Sequence, residues 1–162
     1  MHHSKAPFFA LLFIAALSAC ASSYTNIPVQ ETYNGYDELL AEQLGADEYG
    51  MRLYVFVVLS TGPAIITDEN HRKEIFAGHF SNMGRLATEG KLVLAGPFIE
   101  GGKKRGLYIF NQATIEEAEA LVSTDPAVVA GIFTAEYTKF YGSAALVELN
   151  KIHKKIQKTK IG

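Results

Sequence analysis

The feature that most constrains this chain is the order in which its hydrophobic period changes between residues 51 and 142. Arg52 to Leu59 (RLYVFVVL) is almost wholly apolar and rich in β-branched and aromatic residues, which suits a strand covered on both faces. Gly62-Pro63 closes it. From Glu69 to Glu89 the spacing becomes helical, with Ile75, Phe76, His79, Met83 and Leu86 on one stripe and Gly90 placed to end the helix. Lys91 to Ala95 reads as a second strand stopped by Gly96-Pro97. Gly101-Gly102-Lys103-Lys104 reads as a hairpin loop and Gly106 to Phe110 as a third strand.

Thr114 and Glu117 have capping-box spacing, opening a helix that turns Ile115, Ala118, Leu121 and Val122 inward. Asp125-Pro126 starts a further short helical turn that Gly131 ends, and Ile132 to Tyr141 is the fourth strand. Ser143 is placed to cap a last helix with Leu146, Leu149, Ile152 or His153, and Ile156 on one stripe. The order β-α-β-β-α-β plus a C-terminal helix predicts an α+β fold of ferredoxin-like type, an antiparallel sheet with both helices on one face. The other sheet face would be bare and apolar in a monomer. Such a surface seeks a partner, so face-to-face homodimerisation into an α+β barrel is expected.

The segments on either side carry other signals. Met1 to Lys5 is polar and weakly basic, Ala6 to Leu17 is apolar, and Leu17-Ser18-Ala19-Cys20 resembles a bacterial lipobox. The apolar run has the length of a signal-peptide core and is too short to span about 30 Å of hydrocarbon as a helix. Residues 1–19 therefore read as an export signal and Cys20 as the lipidated first residue of the mature chain. An ordinary secretory signal cut near Ala19 is the alternative. Cys20 is the only cysteine, so no intramolecular disulfide and no CxxC or Cys/His zinc spacing is available. Ala21 follows it rather than an aspartate, which favours the periplasmic side of the outer membrane over inner-membrane retention.

Residues 20–50 read as a polar, acidic tether, within which Asp37 caps a short helix over residues 37–44 ended by Gly45. Glu31, Asp37, Glu38, Glu42, Asp47 and Glu48 lie there without a lysine or arginine, whereas residues 143–162 hold Lys151, Lys154, Lys155, Lys158 and Lys160 without an acid beyond Glu148. Solvated lysines, or contact with anionic lipid, account for that basic end. Removing residues 1–19 takes away Lys5 and none of the 17 acidic residues, so the chain stays acidic and is no nucleic-acid binder by charge. Gly101-Gly102-Lys103-Lys104 lacks the spacing and the following helix of a phosphate loop.

Read together, His79, Gly90-Lys91-Leu92, Leu94-Ala95-Gly96-Pro97, Gly106, Glu116-Glu117-Ala118, Asp125-Pro126 and Ala130-Gly131 resemble the YCII-related (YciI-like) domain family, from about Met51 to Tyr141. The resemblance implies a dimeric α+β barrel with a His–Asp pair lining a cleft between sheet and helices, carried here by His79 and Asp125. Some relatives act on chlorinated aromatics in a dehydrochlorinase-like role, and related barrels include muconolactone isomerases. It thus implies proton transfer on a small cyclic or carbonyl substrate, of lyase or isomerase type, without a metal or organic cofactor.

Each candidate also has a plainer reading. His79 on an apolar stripe can be a core histidine satisfied by a backbone carbonyl. Set between an apolar surround, which disfavours charge, and a carboxylate, which favours it, an imidazole suits acid–base work. Asp125 before Pro126 is an ordinary N-cap, and one carboxylate can both cap and orient His79. Arg72, two turns before His79, can bind an anionic substrate or make a surface salt bridge, and Gly96 and Pro97 can shape the cleft wall with backbone. A non-enzymatic small-molecule binder or envelope interaction protein is the alternative to an enzyme.

Overall fold

The structure, a computed structural model, describes residues 35–159. The signal segment, Cys20, most of the tether and Lys160 lie outside the described residues. Helix α1 (Glu38–Leu44) precedes β1 (Met51–Thr61), α2 (Glu69–Thr88), β2 (Leu92–Pro97), β3 (Lys104–Phe110), α3 (Ile115–Val122), α4 (Pro126–Val129) and β4 (Phe133–Ser143). A 3-10 turn (Ala144–Glu148) leads into α5 (Leu149–Ile156). The four strands form one sheet in the order β2-β3-β1-β4, every neighbouring pair antiparallel. The fold is α+β, a ferredoxin-like βαββαβ unit.

Strand alternation sorts the side chains. Val55, Val57 and Leu59 of β1 face α2 and α3 with Tyr108 and Phe110 of β3 and Leu92 of β2, and pack on Leu86, Ala118 and Val122. Burying each large side chain stabilises the fold by about 1.5–3 kcal/mol. The opposite face carries Tyr54, Val93 and Ile109. Helix α2 starts where Asp68 accepts from the His71 amide and ends at Gly90, whose φ of 71° lets the chain turn out of the helix. Helix α3 has the full capping box of Thr114 and Glu117. The end of β1 meets the start of β4 closely: the Gly62 amide donates to the Ile132 carbonyl at 2.7 Å, and a Cβ on Gly62 would sit 2.2 Å from the Gly131 carbonyl oxygen.

Three features differ from the sequence expectations. Strand β2 runs through Gly96-Pro97 instead of stopping before them, because β2 is an edge strand and the missing proline N–H leaves no ladder bond unmade. The last helix is broken into a 3-10 turn and α5. The Tyr54 hydroxyl donates to the carbonyls of Ser143 (2.9 Å) and Ala144 (3.3 Å), which engages the acceptors a continuous α-helix would use.

The second sheet face is not wholly bare, since Leu146 and Val147 of the 3-10 turn pack on Tyr54, Val93 and Ile109. Phe56 and Leu107 beside that cluster are half-buried, and Phe140, opposite Tyr54, is 36% exposed. Helix α1 is tied to the start of β1 by Arg52 Nη1, which donates to the Leu44 carbonyl at 2.7 Å. The Tyr141 hydroxyl also donates to Asp47 just after α1, a bond that depresses the Asp47 carboxyl and pushes the Tyr141 phenol up to about 12.

Candidate functional site

His79 comes from the middle of α2, whose stripe of Ile75, His79 and Leu86 is pressed onto the sheet. Asp125 comes from the turn between α3 and α4, where it is the N-cap of α4 and accepts from the Ala127 amide at 2.9 Å. Both are buried, Asp125 to 1% exposure and His79 to 7%. His79 Nδ1 lies 2.9 and 2.8 Å from the two Asp125 carboxylate oxygens. The packing that brings α2 beside α4 therefore joins two residues 46 positions apart.

A third polar group completes the cluster. The Tyr108 hydroxyl donates to Asp125 Oδ2 at 3.0 Å and lies 3.5 Å from His79 Nδ1. Tyr108 is 4% exposed. Burial first, and then the adjacent Asp125 carboxylate, push its phenol far above the ordinary tyrosine range, so it stays a donor. Asp125 thus accepts from an amide, a phenol and an imidazole. A carboxylate surrounded by donors accepts only, which places the proton of a neutral His79 on Nδ1 and leaves Nε2 as the free ring nitrogen.

Nε2 has no hydrogen-bond partner among the described residues, and it is not one of their sealed unpartnered atoms, which are Arg52 Nε and Asn111 Oδ1. The His79 side chain as a whole keeps 9% of its surface exposed. Three phenylalanines form a collar around the ring, with centroids at 6.0 Å (Phe76), 5.3 Å (Phe80) and 5.6 Å (Phe133), all edge-to-face. The collar lowers the local dielectric and strengthens the His79–Asp125 interaction.

The other sequence candidates are not brought to the pair. Arg72 is exposed and stacks its guanidinium 5.2 Å above the Phe76 ring, one layer outside the collar. This is a cation–π contact in place of the salt bridge weighed for it. Gly96 pairs with Leu107 on the face away from α2, while Pro97 pairs with Gly106 at the end of the edge strand. Clefts of about 380 and 640 Å³ open among the described residues, and neither of these is lined by His79, Asp125, Gly96 or Pro97. No group of three or more His, Cys, Asp or Glu side chains among the described residues is arranged to hold a metal. No described helix is long and apolar enough to cross a membrane.

Tyr108 and the phenylalanine collar were not singled out by the sequence. Their signal was faint: Tyr108 sits in an ordinary apolar strand, and only its alternation with Phe110 places the hydroxyl on the α2 side.

The YCII-related domain profile matches residues 54–140. An uncharacterised protein of Bacillus subtilis (strain 168), YjpA, is 29% identical over 79 residues, which cover 49% of this chain and 85% of that protein. Among solved structures, the 5-chloro-2-hydroxyhydroquinone dehydrochlorinase of Burkholderia phenoliruptrix AC1100, in complex with 2,5-dihydroxybenzoquinone, is similar at 18% identity. That match covers 53% of this chain and 90% of the enzyme with a TM-score of 0.38. With the profile spanning more than half of its length, the chain belongs to the family of proteins built on the YCII-related domain.

Proposed function

We propose that this chain is a lipid-anchored acid–base catalyst of lyase or isomerase type, in which His79 moves a proton on a small cyclic or carbonyl substrate. The observation that carries the proposal is the buried cluster in which Asp125 holds His79 Nδ1 at 2.8 Å while Nε2 has no hydrogen-bond partner among the described residues. Nε2 takes the proton from the substrate, and the Asp125 carboxylate stabilises the imidazolium that forms. The Tyr108 hydroxyl and the Ala127 amide hold that carboxylate in place, so the ring turns little during transfer. The collar supplies an apolar wall for the substrate. The cation of Arg72 stands at the outer edge of Phe76, where an anionic substituent would pass.

Deuterium wash-in tests this across a panel of compounds. Small cyclic ketones and lactones are incubated with the protein in D₂O, and exchange at carbon is followed by NMR. The proposal expects exchange above background that His79→Ala abolishes while the fold is kept. Exchange that persists in His79→Ala would remove His79 from the role.

A non-enzymatic binder is the second reading, favoured by the burial of His79 to 7% exposure and by a cleft of about 640 Å³ lying elsewhere. Saturable thermal stabilisation by a compound that is never exchanged would support it. The proposal includes a homodimer formed through the second sheet face, where Phe56 is half-buried and Phe140 exposed. Light scattering on the full-length protein at micromolar concentration tests this, and a strict monomer would contradict it. It also includes lipidation of Cys20, which adds a diacylglyceryl mass that Cys20→Ser removes; an unmodified Cys20 in protein taken from membranes would contradict it.

A further inference from the structure

The larger cleft, of about 640 Å³, lies between α2, the edge strand β2 and α5. One wall is Phe80, Met83 and Ala87, spaced three and four residues apart and therefore on one face of α2. The floor includes Leu94, which is 38% exposed on the unpaired edge of the sheet. The opposite wall is α5, where Ile152 and Ile156 line the cleft yet are 55% and 75% exposed. Eight helical residues at 1.5 Å each make this wall about 12 Å long. The shape is a long apolar trough of small-molecule size, unlike a flat protein interface.

Its polar groups are divided unevenly. Thr88 donates its hydroxyl to the Gly84 carbonyl (2.8 Å) and the Asn150 amide donates to the Leu92 carbonyl (2.7 Å), so both are already engaged. Lys154 lines the trough and makes no ion pair among the described residues, whereas the neighbouring Lys151 is paired with Glu148 at 2.6 Å. No aspartate or glutamate lines the cleft. His153 and Gln157 line the trough beside Lys154, and with a basic side chain at this end and no acid among the described lining residues, the apolar trough complements a single alkyl chain that ends in an anion.

We propose that this trough is a binding site for a single-chain fatty monocarboxylate, with the chain along Met83, Leu94 and Ile152 and the carboxylate at Lys154. The site is separate from the His79 cluster and shares with it only Phe80, whose ring meets the imidazole edge-to-face at 5.3 Å. It stands whether or not His79 is catalytic.

Photolabelling of the full-length protein with a diazirine analogue of dodecanoate tests the proposal, with labelled peptides mapped by mass spectrometry. Label is expected on α2, β2 and α5, displaced by dodecanoate. Ile152→Glu places a carboxylate in the apolar wall and is expected to weaken labelling at least tenfold. Lys154→Ala, or an uncharged dodecanol analogue, is expected to weaken it several-fold, as for an exposed ion pair. Both residues are exposed, so the fold survives either change, and unchanged circular dichroism verifies it. Label scattered over the chain, or indifferent to Ile152→Glu, would overturn the site. Equal labelling by acid and alcohol would overturn the carboxylate. Labelling of α5 only in the presence of anionic phospholipid vesicles, with no competition by dodecanoate, would make α5 a membrane-surface helix and also overturn the proposal.

Discussion

Removing the Asp125 carboxylate with Asp125→Ala strips three donors of their partner in one step. The Ala127 amide loses its cap, which typically costs about 1 kcal/mol. The Tyr108 hydroxyl loses its 3.0 Å acceptor and keeps only the long 3.5 Å contact to His79 Nδ1, at about 1–3 kcal/mol. His79 Nδ1 loses its acceptor likewise, 9% exposed at its side chain against 1% for Asp125, so solvent recovers little of the loss. These terms share one acceptor and do not simply add, and breaking a buried pair usually costs about 3–5 kcal/mol. A loss of about 4 kcal/mol is the expectation. In urea, with a slope of about 1.5 kcal/mol per molar, the unfolding midpoint falls by roughly 2–3 M. Asp37→Ala is the control: it removes a cap of the same kind from exposed α1, where the Asp37 carboxylate accepts from the Leu40 amide and from no other group among the described residues, and costs at most about 1 kcal/mol. If Asp125→Ala loses no more than Asp37→Ala, the carboxylate is an ordinary cap and the cluster as described is refuted.

Other expectations follow from the same structure. Tyr108 keeps its proton in the folded state to a pH well above 10, while the unfolded chain ionises near 10. Its contribution is therefore complete below about pH 10 and is lost as pH rises beyond it, by up to about 1.4 kcal/mol per unit. Chemical denaturation from about pH 9 upward should show a shallower decline in Tyr108→Phe than in the parent, and parallel declines would contradict the burial argument. Gly62→Ala should lower stability by about 1–3 kcal/mol in a thermal melt, because its Cβ would meet backbone at 2.2 Å, and an unchanged melting temperature would show that the turn yields. Leu86→Ala, at a site 2% exposed in the main core, should cost about 2–5 kcal/mol, whereas Val129→Ala, 72% exposed, should cost little.

The element order was legible in the sequence because each strand and helix carries its own period and its own punctuation. The α2 stripe of Ile75, His79 and Leu86 is buried as its spacing implies. Asp125 was readable as a cap, and caps depend only on neighbours in sequence. Its second role as partner of His79 depends on α2 packing beside α4, which no local pattern encodes and which entered through the family resemblance. Tyr108 was invisible for the same reason, since a tyrosine in an apolar strand looks like packing until the sheet is assembled. The break in the C-terminal helix is equally non-local, because Tyr54, about 90 positions earlier, takes the carbonyls of Ser143 and Ala144. Pro97 misleads because a proline stops an inner strand, and only the sheet order reveals that β2 lies at the edge.

The central claim is that Asp125 fixes His79 with its proton on Nδ1 and Nε2 free. Long-range ¹H–¹⁵N correlation spectra of ¹⁵N-histidine-labelled protein test it most directly, recorded at a pH where the imidazole is neutral and the fold intact. The account predicts that His79 shows a protonated Nδ1 and a bare Nε2, and that this preference is lost in Asp125→Ala. A His79 signal with the proton on Nε2, or one unchanged by Asp125→Ala, would contradict it.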